Sequence, residues 1–294
     1  MVAYLIVLNR EEHNVGFIDE PTGKLIKTVQ VGQKPQQVVI SPEGDKAFVT
    51  NAGSNAISVF DLTSLEITDT ITHPDFNAPS DGKITRDGRL ILVSTKVNKV
   101  FIIDVAVHKV LKVIPAQSMS HTIALTPDSS RAYIANVDTN TISVLDTYTE
   151  TWIAHYPVGR QPGGIAVSPD GGSVYVTHQQ DNSLYSIDTG THSLQARIDT
   201  DQHPVQVAFA PGGQVAFVAN RVGNCISVID TRRKLEIKRI PTGIWPGGII
   251  FNRTGDKAYV ANNKTNDITV IDVATLKAID TIDAGIHPHG LGFC

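Results

Sequence analysis

The chain has 294 residues, 41% of them hydrophobic and 18% charged, which is the composition of an ordinary globular protein long enough to bury its own core. Its net charge of −4 gives no basic field for nucleic acid, and no apolar run nears the roughly 18 residues of a membrane helix. Two cysteines, Cys225 and Cys294, exclude a disulfide framework and are expected to be free thiols.

The first element is an apolar strand from Ala3 to Leu8. It lacks the basic start and cleavage pattern of a signal peptide, so the expected compartment is the cytoplasm, or the periplasm or exterior if the sequence is a processed form. From there the chain repeats itself. A hydrophobic pair followed by aspartate ends at Asp19, Asp61, Asp104, Asp146, Asp188, Asp230 and Asp272, with spacings of 42, 43, 42, 42, 42 and 42 residues. Pro35, Pro79, Pro162, Pro204, Pro246 and Pro288 keep the same phase, with Ser120 in place of proline in the remaining copy. Asn9, Asn51, Asn136, Asn220 and Asn262 form another column.

Each copy reads as four short strands. In the copy from Pro162, Gly164 to Ser168 is apolar strand A, and Pro169 to Gly172 is a tight turn. Ser173 to Thr177 is strand B, Gln179 to Asn182 a polar loop, and Ser183 to Ile187 strand C. A second turn leads to strand D, Ser193 to Thr200, the most polar, as an outer edge should be. No segment has a capped 3.6-residue period, so almost no helix is expected. Four strands per repeat of this length predict one β-propeller blade. The whole chain, 1–294, is then a single all-β domain, a seven-bladed propeller of antiparallel four-stranded blades. The chain starts in a B strand and stops after an A strand, Gly290 to Cys294. The C-terminal strand should therefore complete the N-terminal blade and close the ring.

Ala258-Tyr-Val-Ala-Asn262, Ala47-Phe-Val-Thr-Asn51, Ala132-Tyr-Ile-Ala-Asn136 and Val174-Tyr-Val-Thr-His178, each followed by an Ile-Ser-Val-Ile-Asp-like strand, resemble the YVTN-type repeats of bacterial and archaeal β-propellers. The resemblance covers the whole chain. Similar architectures include virginiamycin B lyase, the lactonases and the copper-binding propeller of nitrous oxide reductase. They imply binding, lyase or hydrolase chemistry on the face that gathers the D–A and B–C loops, called the top.

Positions that break the repeat point to the same face. The Asp61–Pro79 interval is two residues longer than the others, around Thr72 to Asn77. His178 replaces Asn in its column, and His13 replaces the Asn found six residues before the other aspartates, at 55, 98, 140, 182, 224 and 266. His203 and His287 precede the proline column, His121 and His289 follow it, and His73 lies in the long loop. Seven of the ten histidines thus fall on top-face loops. The repeated Asn and Asp read as loop and turn residues.

The sequence therefore predicts that His121, His178 and His289 meet at the channel mouth. They would serve as ligands to one divalent ion (Zn, Cu, Fe or Mn) or as general acid and base, with Glu11, Glu12 or His13 completing the site. His73, His203, Trp245 and His287 are candidate ligand-binding residues, and Arg160, Arg221, Lys34, Lys96 and Lys264 lie on top loops where they could meet an anion. The leading reading is a small-molecule or metal-binding site, with a metal-dependent lyase or hydrolase activity. The alternative is a non-catalytic scaffold for a ligand or protein partner, and a third reading is a copper or redox site. No nucleic acid or membrane partner is expected.

Overall fold

Alternation decides the layers. In strands B and C of every copy the side chains on both faces are apolar or small, so both faces must be covered. In the computed structural model, which describes residues 4–294, those strands are almost wholly buried, as at Lys46–Asn51 and Ala56–Asp61. The D strands, such as Lys24–Gln30 and Lys277–Asp283, are largely exposed. Twenty-eight strands form seven four-stranded antiparallel sheets, with no helix among the described residues. Seven hydrophobic clusters each join two neighbouring blades, so every blade buries one face against the next.

Blade one pairs Pro288–Phe293 with Tyr4–Asn9, in the register Leu5 with Phe293, Ile6 with Gly292 and Val7 with Leu291. Tyr4 and Cys294 add two backbone hydrogen bonds, of 3.3 and 3.2 Å. The ring is closed as the sequence predicts; Ala3, placed in this strand by the sequence, lies outside the described residues. Blades two to seven follow in chain order, beginning at Pro35, Pro79, Ser120, Pro162, Pro204 and Pro246.

The repeated polar columns do structural work. The Asp after strand C accepts N–H groups of the following turn, as Asp61 does from Thr63 and Ser64 and Asp146 from Tyr148 and Thr149. The Asn before it clasps the next blade. Asn55, Asn98, Asn140, Asn182, Asn224 and Asn266 accept the N–H of Ala78, Met119, Gln161, His203, Trp245 and His287 at 2.8–3.1 Å. Both partners of every clasp sit at positive φ, which Asn tolerates better than most residues.

Candidate functional site

The A strands of adjacent blades touch all the way round the ring and line the channel. Some approach backbone to backbone: a Cβ on Gly290 would lie 2.6 Å from the Gln36 carbonyl oxygen, so only glycine fits there. At the top end the strands open into a cavity of about 410 Å³. His121 of blade four and His289 of blade one face it from opposite sides, and its polar wall also includes Arg10, Gln36, Gln37, Ser80, Asp81, Thr122, Asp138, Gln161, Gln179, Gln206 and Arg221. Gly247 and Gly248 line its blade-seven side.

The close approach of blades one and two fixes His289. Its Nδ1 lies 3.1 Å from the Gln36 carbonyl oxygen. A carbonyl only accepts, so Nδ1 carries the proton and Nε2 keeps a lone pair. Burial, then the charges of Arg10 and Arg221, pull the pKa of His289 down to about 3. His121 is also lowered, chiefly by burial and further by Arg221 and Arg10, with Asp81 opposing. Its Nδ1 is buried without a hydrogen-bond partner, while its carbonyl accepts from Ser80 Oγ at 3.0 Å. Both rings are therefore neutral at pH 7. Asp81 accepts the N–H groups of Gly82 and Ile123 at 2.8 and 3.1 Å and pairs with Lys83 at 3.1 Å, which ties blade three to blade four.

His178 does not join them. Its column faces into the blade beneath the D–A loop, where Asn51, Asn136 and Asn262 donate to Ser58, Ser143 and Thr269. In blade five both partners change together: His178 replaces Asn and Tyr185 replaces Ser, and their rings pack with centroids 4.0 Å apart. His178 has no exposed surface and neither ring nitrogen finds a hydrogen bond. Burial pushes its pKa down to about 4. The triad expected from the sequence is thus a pair, because a column that breaks the repeat here breaks it inside the core. Among the described residues no three His, Cys, Asp or Glu side chains come together as a metal-binding group.

The other candidates lie beside the cavity rather than in its wall. His13 stands in the clasp column at positive φ, its Nδ1 3.2 Å from the Lys34 N–H and 3.0 Å from the Arg10 carbonyl. Glu12 accepts from Asn14 Nδ2 at 3.2 Å and faces the gap between blades one and seven, and Glu11 is exposed. His203, Trp245 and His287 are the donor ends of three clasps. Lys264 Nζ lies 3.8 Å from the centre of the Trp245 ring. His73 packs on Phe76 and Phe101, with centroids 5.8 and 5.6 Å apart. The long loop thus plugs blade three, where Ser94 and Phe101 stand in for the usual Asn and Ser.

Arg10 is the wall residue that the histidine count does not reveal. It directly follows Asn9, as Arg221 follows Asn220; the same position elsewhere holds Ala52, Thr95, Val137, Gln179 and Asn263. Comparing that column between copies would have singled out both arginines.

The seven four-stranded blades closed into a ring define a seven-bladed β-propeller. The chain belongs to the YNCE-like β-propeller family, whose model matches residues 23–129 and 208–293. A second model, the seven-bladed lactonase propeller, matches residues 128–238. No curated protein sequence matches the chain. Among solved structures it is similar to a functionally unknown protein from Desulfotomaculum acetoxidans, at 15% identity over 99% of this chain and 98% of that one, with a TM-score of 0.89. It is similar to a chain of Kuenenia stuttgartiensis hydrazine synthase, at 21% identity over 90% and 91%, TM-score 0.84. A 6-phosphogluconolactonase candidate from Bacteroides uniformis matches at 14% identity over 100% of both chains, TM-score 0.84. At these identities the structural neighbours establish the fold.

Proposed function

We propose that the protein binds a small molecule at the top mouth of its central channel, against His121 and His289. The observation that carries this reading is the cavity of about 410 Å³ faced from opposite blades by two imidazoles. A pocket of that size, open on one side and walled by a few polar groups, suits a small metabolite. The fixed tautomer of His289 offers Nε2 as an acceptor for a ligand hydroxyl.

Hydrolysis of a lactone is the second reading, favoured by the lactonase match over residues 128–238, which include the wall residues Gln161, Gln179 and Arg221. A histidine with a pKa near 3 is a weak general base at neutral pH. On this reading, substrate must raise that value on binding.

The test is thermal-shift and calorimetric screening of hydroxy acids, sugars, sugar phosphates and sugar lactones, with lactone hydrolysis followed by pH-stat. Binding that weakens at least tenfold in His121→Ala and His289→Ala supports the reading. A panel that leaves the wild type unmoved, or hits that both variants bind as well, overturns it. Binding without turnover removes the hydrolase reading alone.

A further inference from the structure

We propose that the ligand of the channel mouth is an anion whose carboxylate or phosphate group sits over blade seven, between the guanidinium groups of Arg10 and Arg221. The proposal rests on the small-molecule reading of the same cavity and names the ligand's chemical class.

Arg10 belongs to blade one and Arg221 to blade six, the two neighbours of blade seven. Both lie at the same register, one residue after the buried Asn of strand B, and both line the cavity. Between them blade seven presents Gly247 and Gly248, which have no side chains to fill the space. Its own residue at the arginine register, Asn263, is buried and donates to the Pro288 carbonyl instead. The result is a niche floored by glycine and flanked by two cations.

Neither cation is neutralised. Arg89, Arg160 and Arg239 each hold a carboxylate, but among the described residues neither Arg10 nor Arg221 forms an ion pair. The Nε of Arg221 is buried without any hydrogen-bond partner. Asp81, in the wall, is already committed to Lys83 and two backbone amides. Asp138 is exposed at the rim, where it accepts from Ser118. Two like charges without a counter-ion in a protein of net charge −4 are costly to hold together. Burial and the neighbouring Arg10 both depress the pKa of Arg221, the signature of that cost. An oxyanion removes it, accepting forked hydrogen bonds from planar donors. The cavity also continues into a groove over blades two and three that shares Arg10 and His121 and adds Lys34 and Lys96. A longer ligand would place its remaining length, or a second acid group, there.

The histidines supply an independent readout. Arg10 and Arg221 both help to hold His289 and His121 unprotonated, with Asp81 the opposing charge on His121. An anion that screens the arginines raises both histidine pKa values. Binding at mildly acidic pH must then take up protons.

The experiment is calorimetry at low salt with inorganic phosphate, succinate and the uncharged succinamide. The expected result is binding of phosphate or succinate, with succinamide at least tenfold weaker. Arg10→Gln and Arg221→Gln should each weaken the anion at least tenfold. Lys264→Gln, which removes a cation stacked on Trp245 outside the cavity wall, should not. Repeating the titration at pH 5 in buffers of different ionisation heat should show proton uptake in the wild type, reduced in both arginine variants. Phosphate binding alone assigns a phosphate ester, and succinate binding alone a carboxylate. Equal affinity for succinate and succinamide, or arginine variants that bind anions like the wild type, overturns the anion assignment and leaves the pocket reading standing. If the anions, the amide and the wider metabolite panel all fail to bind, both readings fall.

Discussion

Acid should destabilise this protein well before its carboxylates titrate, and blade five allows the effect to be isolated. His178 has a pKa near 4 in the folded state, against an ordinary value of 6.5. Below pH 6.5 the unfolded chain takes up a proton at this position that the folded protein refuses, so stability falls as pH drops from about 6.5 towards 4. Between pH 7 and 4.5 the loss from His178 alone comes to about 2 kcal/mol. Most aspartates that the fold perturbs have lowered pKa values, as at Asp61 and Asp128, so their stabilisation is lost only below about pH 4. The perturbation is the double variant His178→Asn/Tyr185→Ser, which rebuilds the Asn–Ser pair of blades two and four in place of the ring pair. The assay is urea unfolding of both proteins at pH 7 and pH 4.5. His289 and the other titrating groups contribute equally to both, so the variant should lose about 2 kcal/mol less than the wild type. Equal losses would show that His178 is not held neutral by burial and would refute the argument.

Three further outcomes follow from the fold. Deleting Leu291–Cys294 removes the buried Leu291 and most of the ladder that closes blade one; a loss of about 5 kcal/mol, seen as a fall of roughly 10 °C in Tm, is expected by calorimetry, and an unchanged Tm would mean that the ring closes without it. His13→Asn restores the residue found in the other six clasps, so it should change stability by less than about 0.5 kcal/mol in denaturant titration, whereas His13→Ala loses the acceptor for Lys34 and should cost about 1 kcal/mol. Cys225 is buried and its thiol is pushed up to about 11, chiefly by burial; it should resist alkylation at pH 8 in the native protein and react promptly in urea, as mass spectrometry would show.

The fold was legible because each blade repeats the same physical requirements. A left-handed residue must clasp the next blade, an Asp must tie the turn after strand C, and two apolar strands must be covered on both faces. Seven copies in register expose those demands without any structure. The site was less legible because a break in the repeat has two physical origins that look alike in sequence. His178 breaks its column to pack on Tyr185, and the insertion around His73 and Phe76 breaks the spacing to plug blade three. Both are repairs to the core. His121, His289, Arg10 and Arg221 break columns that face the channel, where a change of side chain leaves blade packing untouched. The distinction lies in whether the partner position changes too. His178 is matched by Tyr185, which lies two residues beyond its strand partner Ser183 and opposite Val176. Arg10 and Arg221 have no such match: among the described residues no ion pair answers either charge. An uncompensated change on the channel side is the kind that a ligand, rather than the fold, would complete.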